Sequence, residues 1–143
     1  MPKITKTSLV QHSAESMFEL VENIKEYPKF LPWCEGSSFY TQDDGSIVAT
    51  VDVVVKGIPF AFSTINFNER PSKITMKLAK GPFKEMYGYW EFIEINDKTC
   101  RVNFFLDYSF SNFILEKTTG YLFKELSQSL IDSFIKQADN NEK

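Results

Sequence analysis

The sequence predicts an α+β fold in which an antiparallel sheet lays its apolar face on one long carboxy-terminal helix. Three observations predict it. From about Asn112 to Ala138, Leu115, Leu122, Leu126, Leu130 and Phe134 recur at helical spacing; Phe123 widens the stripe, and Lys117, Lys124, Gln128, Asp132 and Lys136 fall away from it. Most of the chain before this stretch alternates apolar and polar residues with the period of a β-strand. The links between those segments are hairpin-sized, too short for the helical crossovers of a parallel sheet.

Ile4 to Val10 reads as the first strand. Ser13 then offers a helix N-cap and Glu15 a carboxylate for the first turn, after which Met17, Leu20, Val21 and Ile24 follow the i, i+3, i+4, i+7 rule. Glu15, Glu19, Glu22 and Glu26 form an acidic stripe, expected to be a solvated face. Pro28, which lacks an N–H, is expected to end or kink this helix and to push Tyr27 out of the helical region. The segment YPKFLPWC, Tyr27 to Cys34, is too crowded with large apolar side chains and prolines for a regular element. It reads as a rigid connection that either plugs the core or rims a cavity.

Period-two patterning starts at Phe39, and Asp43, Asp44 and Gly45 signal a turn. Ile47, Ala49, Val51, Val53 and Val55 then alternate with Thr50, Asp52 and Lys56 in a long strand. Lys56 to Ile58 turns the chain into Pro59 to Asn68, where Phe60, Phe62, Ile65 and Phe67 leave the inward face open. After a turn at Arg70 to Ser72, Ile74, Met76 and Leu78 share one face of the next strand, with Lys73, Thr75 and Lys77 on the other. Beyond Gly81 and Pro82, Met86, Gly88, Trp90 and Phe92 share a face; beyond Asn96 and Asp97, so do Val102, Phe104, Leu106 and Tyr108. The expected order is a strand, a short helical region, six strands and the long helix, in a single domain over 1–143. Asp139 to Lys143 is expected to be a frayed polar tail.

With 143 residues the chain can bury a sizeable core without staples. Its 14 Phe, 6 Tyr and 2 Trp are a heavy aromatic load that fills a large core or lines a cavity. A net charge of −3 gives no pull toward nucleic acid, and no DNA partner is expected. Cys34 and Cys100 are expected to be free thiols in a reducing compartment. Met1 to Val10 lacks the apolar core of a secretory signal, and no window approaches the roughly 20 apolar residues of a spanning helix. A soluble, cytoplasmic protein is expected.

Few residues of the chain suggest chemistry. His12 is the only histidine, and with Cys34 and Cys100 it has neither the number nor the spacing of a zinc site, so no metal is expected. Gly81 belongs to no phosphate-binding loop. Asp52, Glu91 and Asp107 fall on outward strand faces, and no residue is predicted to be catalytic. Lys73, Lys77, Lys80 and Lys84 cluster around one strand and its turn. They suit either contact with phosphates or an anionic membrane surface, or a role in solubility and edge protection.

YPKFLPWC at Tyr27 to Cys34, GPF at Gly81 to Phe83 ahead of the strand with Trp90 and Phe92, Cys100 and the closing helix together carry a family resemblance. PKI at Pro2 to Ile4, SAESMF at Ser13 to Phe18 and FSTIN at Phe62 to Asn66 extend it over nearly the whole chain. The sequence resembles the coenzyme-Q-binding, START-like (polyketide cyclase/SRPBCC) family, which includes bacterial ribosome-association toxins. It departs from that pattern at the end, where Lys136, Gln137 and Ala138 replace the more usual Arg-Ala and aromatic ending. The resemblance implies a helix-grip fold, a curved antiparallel sheet around the carboxy-terminal helix with a lipid-sized cavity between them. It further implies a non-enzymatic protein of the bacterial cytoplasm that binds ubiquinone or a similar polyprenyl quinone, supports respiration, needs no other cofactor and contacts the inner membrane peripherally. Leu122, Leu126, Leu130 and Phe134 would then form one wall and Trp90, Phe92 and Phe104 the other, with Phe30, Leu31, Trp33 and Phe83 at the mouth. For each of these, plain core packing is the alternative.

The same resemblance implies a second role, binding to the large ribosomal subunit to block subunit association; by its charge, the Lys73 to Lys84 cluster is the surface suited to such an RNA contact. START-like cyclases and aromatases supply a third. Catalysis of that kind needs polar groups in the cavity, for which Tyr108 and Asn66 are the candidates.

Overall fold

The computed structural model describes residues 3–141. Seven strands, β1 (Lys3–Val10), β2 (Cys34–Thr41), β3 (Ile47–Val55), β4 (Ile58–Glu69), β5 (Lys73–Lys80), β6 (Phe83–Asn96) and β7 (Thr99–Phe110), form one sheet in the order β1-β7-β6-β5-β4-β3-β2. Every pairing is antiparallel. The β3–β4 hairpin closes over Lys56 and Gly57, whose φ values of 51° and 80° are those of a two-residue turn matched to strand twist. Register shifts between Cys34 and Gly36, Ser63 and Thr64, Phe83 and Glu85, and Glu94 and Asn96 bend the strands. Such bulges add curvature, and here they help the sheet wrap its apolar face around the closing helix. Gly88 marks a close approach in this wrap, because a Cβ there would lie 2.5 Å from the Phe105 carbonyl oxygen.

Period two in β6 and β7 places Met86, Trp90, Phe92, Val102, Phe104, Leu106 and Tyr108 in the core as expected. The ambiguity in β4 is settled by its register: Thr64 and Asn66 are buried in the concave side, and Phe67 is exposed on the other. Helix α1 (Ala14–Glu22) is capped by the Ser13 hydroxyl, which accepts from the Ser16 N–H at 3.1 Å. Its acidic stripe is more than a solvated face. Arg70, in the β4–β5 turn, reaches Glu22 at 2.6 Å and Glu19 at 3.1 Å and lies over the Phe18 ring, tying that turn to α1.

Pro28 does not end α1. The helix stops at Glu22, a 3-10 turn follows over Ile24–Glu26, and α2 (Tyr27–Phe30) carries Pro28 in its first turn. A missing N–H costs nothing at that position, and Tyr27 remains helical at φ −53°, ψ −44°.

The carboxy-terminal helix is built from three consecutive segments, α3 (Phe113–Thr118), α4 (Gly120–Gln128) and α5 (Leu130–Asn141). Bonds from Phe123 N–H to Thr119 O and from Ser133 N–H to Ser129 O carry the backbone across both junctions. The junctions fall where hydroxyls compete for backbone carbonyls: Thr118 donates to Ile114 O and Ser129 to Leu126 O, each at 2.9 Å. The expected frayed tail is helical as far as Asn141, and residues 142 and 143 lie outside the described ones. His12, buried at the end of β1, lies 2.6 Å from Asp139 and ties α5 to the sheet.

Candidate functional site

Packing the helix against a curved sheet leaves a cavity of about 90 Å³ between them. The helix supplies Phe123, Leu126, Ser127, Leu130 and Phe134 to its wall. From the sheet come Ala49, Val51, Phe62, Thr64, Asn66, Met76, Met86, Trp90, Phe104 and Leu106, and Ile24, Tyr27 and Trp33 close it from the connection ahead of β2.

Two aromatic clusters prop the layers apart. Phe123 meets Phe83 at 5.0 Å, Tyr108 at 4.9 Å, Phe62 at 5.9 Å and Phe60 at 6.2 Å between ring centres. Phe134 meets Phe30 at 5.2 Å, Trp90 at 5.3 Å and Tyr27 at 5.4 Å. Short side chains at Ala49, Val51, Thr64 and Ser127 do not fill the space these rings hold open. It has room for a few waters, but ligand pockets typically start at about 300 Å³, so a larger guest requires wall movement. Met76 and Met86, unbranched and adaptable, are the wall residues most able to give way.

The predicted wall is assembled in part. Trp90, Phe104, Leu126, Leu130 and Phe134 line the cavity, joined by Trp33 from the predicted mouth, whereas Phe92 and Leu122 are buried beside it. Phe92 packs behind, between Trp90 and Phe18. Among the predicted mouth residues Leu31 is fully buried, and Phe83 stacks on Phe110 at 4.7 Å, so neither stands at a rim. Phe30 rests edge-on against Phe134. The polar members Thr64 and Ser127 were not singled out from sequence as lining residues. Counting inward from the Lys56–Gly57 turn finds Phe60, Phe62, Thr64 and Asn66 on one face; this was the available signal.

Chemically the wall is neutral. Its members include no carboxylate, imidazole, thiol, ammonium or guanidinium. Tyr27, its one phenol, donates to the Val21 carbonyl, and burial, reinforced by nearby Cys34, raises its pKa. Asn66 accepts from the Thr64 hydroxyl at 2.7 Å. The indole N–H of Trp33 is buried with no hydrogen-bond partner. Tyr108, the other candidate for chemistry, is not part of the cavity wall; it is buried among Phe83, Phe110 and Phe123.

The lysine cluster lies elsewhere. Lys73 sits over the Tyr89 ring at 4.8 Å and Lys77 over Phe67 at 5.6 Å, on the outer face of the sheet. The β5–β6 pairing extends as far as Lys77 and Tyr87, and Lys77 and Lys84 border a shallow groove there together with Glu85 and Asp107. Lys80 is exposed at the end of β5. Acidic neighbours therefore interrupt the cationic surface.

Both cysteines are buried free thiols, and burial raises the pKa of Cys34 and pushes that of Cys100 up to about 11. A folded-state pKa above the unfolded one leaves stability intact below the unfolded value and removes it as pH rises through the folded value. Tyr27 and Tyr108 are raised by burial as well, so all four groups act in the same direction. The melting temperature is expected to fall progressively from about pH 9 to about pH 11, with the thiols reacting with a disulfide reagent only as the protein unfolds. Scanning calorimetry with parallel thiol titration measures both; a melting temperature that stays flat to pH 11 contradicts the burial argument.

A curved antiparallel sheet closed by a carboxy-terminal helix over a largely apolar cavity defines a helix-grip, START-like protein. The profile of the polyketide cyclase / dehydrase and lipid transport family matches residues 10–135, and the chain belongs to that family. The ribosome association toxin RatA of Escherichia coli K12 is 40% identical over 138 residues, which covers 96% of this chain and 87% of that protein. More distantly, the mitochondrial coenzyme Q-binding protein COQ10 homolog B of Xenopus laevis is 23% identical over 142 residues, covering 94% of this chain and 57% of that one. The Zhui aromatase/cyclase of Streptomyces sp. R1128 shares the fold at a TM-score of 0.85 and 13% identity, over 99% of this chain and 96% of that one. Among the described residues no helix is long and apolar enough to cross a membrane, and no cluster of His, Cys, Asp and Glu is placed to hold a metal.

Proposed function

We propose that this protein is a non-enzymatic binder of a hydrophobic small molecule, ubiquinone or a similar polyprenyl quinone. It would take that molecule between sheet and helix in the bacterial cytoplasm and meet the inner membrane only peripherally. The observation that carries this reading is a cavity whose wall is largely apolar and has no general acid or base beyond a buried, engaged phenol. Acid–base catalysis needs a group that gains and loses a proton near neutrality, and this wall offers none. Burial of each CH₂ contributes about 0.8 kcal/mol, so a five-carbon isoprene unit adds roughly 3 to 4 kcal/mol before ordering costs. The family's lipid-transport description and the more distant coenzyme Q-binding relative support the choice of ligand. Protein purified without denaturation from a quinone-producing host should release quinone on mass spectrometry. Repeated recovery with no lipid at all would sink the reading.

A second reading rests on the 40% identity to a ribosome association toxin. In this role the protein would bind the large ribosomal subunit and block subunit association, with Lys73, Lys77, Lys80 and Lys84 meeting RNA phosphates. Overproduction should then move joined ribosomes into free subunits on sucrose gradients, and glutamate at all four positions should abolish the shift. An unchanged gradient at low salt removes this reading. Lys73 and Lys77 lie on the face of the sheet away from the cavity, so the two roles are compatible.

A further inference from the structure

We infer that the cavity selects a ligand with an uncharged, carbonyl-bearing head, read by the Trp33 indole N–H and the Asn66 amide, and rejects ligands whose buried head is a carboxylate or phosphate. The inference rests on the proposed ligand-binding role and specifies the chemistry it accepts.

Trp33 lines the cavity, and its Nε1–H is buried without a partner in the protein. A buried donor left unsatisfied is costly, and an acceptor supplied by a guest recovers that cost. Asn66, on β4, lines the same cavity, and its side-chain oxygen is already engaged by the Thr64 hydroxyl at 2.7 Å. The amide therefore has N–H groups left to offer. Ser127, buried on α4, adds a hydroxyl from the helix side. The wall thus combines hydrogen-bond donors with apolar surface, and the rings of Trp90, Phe104 and Phe123 suit a flat conjugated head.

Charge decides against the alternatives. A buried carboxylate or phosphate requires a paired cation, and no lysine, arginine or histidine stands in this wall. A hydrocarbon without a polar head would fill the space but leave the Trp33 donor unsatisfied. A neutral conjugated carbonyl compound meets both conditions.

The test uses decylubiquinone and palmitate at neutral pH, read by displacement of a neutral fluorescent lipid probe and by quenching of tryptophan emission, which comes from Trp33 and Trp90 together in the unaltered protein and from Trp90 alone in Trp33→Phe. Decylubiquinone is expected to bind and palmitate to bind at least about tenfold more weakly. Trp33→Phe, which keeps an aromatic ring and removes the donor, should weaken decylubiquinone about tenfold with little change in melting temperature. The paired Thr64→Val and Asn66→Leu change, which removes both hydrogen-bonding partners together, should weaken it comparably. Equal affinity of the unaltered protein and Trp33→Phe for decylubiquinone overturns the inference while leaving the ligand-binding role standing. Palmitate binding as tightly as decylubiquinone does the same. Failure of the unaltered protein to bind either probe overturns both, and if the paired variant does not fold, Trp33→Phe decides alone.

Discussion

Phe123→Ala is expected to lower the stability of this protein by about 3 to 5 kcal/mol, among the largest costs of any single truncation here. Phe123 is 2% exposed, and its ring contacts Phe60, Phe62, Phe83, Tyr108 and Phe110, which come from β4, β6 and β7. The side chain is therefore the point at which α4 is fastened to three strands. Removing it forfeits the burial of a whole ring and leaves a void that rings held by separate strands can refill only in part. The void adjoins the existing cavity, whose wall includes Phe123, so the variant should lose stability while gaining internal volume. Urea denaturation measures the first effect. Ligand titration measures the second, as a weaker but less size-selective response. A loss below about 1 kcal/mol would mean that the surrounding rings close over the gap.

The strands and their turns were legible because a sheet with one buried face writes its pairing into alternate residues. Ile74, Trp90, Phe92, Val102 and Phe104 announce the core directly. Strand β4 was not legible by the same rule, since phenylalanines occur on both of its faces and its inward set includes the polar residues Thr64 and Asn66. Hydropathy assigns such residues to solvent. Only the register of the Lys56–Gly57 turn turns them inward.

Pro28 misled for a different reason. Its effect depends on whether it falls inside a helix or at the start of a new one, and that was decided by the chain leaving α1 at Asn23. The junctions in the closing helix come from hydroxyl groups that compete for carbonyls, a contribution too small to disturb the apolar stripe that predicted the helix. The cavity was the least legible feature. Leu126 on a cavity wall and Phe92 in solid core have the same chemistry in a sequence, and the difference lies in what fails to fill the space opposite.

That difference is testable at Leu126, which lines the cavity and is 6% exposed. Leu126→Asp is expected to cost about 3 kcal/mol or more, because its carboxylate would enter a wall that contains no cation. Burial would raise the carboxyl pKa in the folded protein, so the penalty should shrink as the medium is acidified toward the unfolded-state value of about 4 and should be complete at neutrality. Leu126→Trp tests the space itself. In close-packed core, added bulk forces strained rotamers and typically costs about 1 to 3 kcal/mol. Next to an open cavity bordered by the adaptable Met76 and Met86, the larger ring has somewhere to go. Leu126→Trp is accordingly expected to fold within about 1 kcal/mol of the unaltered protein and to lose most of its affinity for decylubiquinone, because the indole would occupy the ligand's place. Equilibrium unfolding and ligand titration on the same samples separate the cases: a large destabilisation from tryptophan would identify solid core, whereas retained stability with unchanged binding would place the ligand elsewhere.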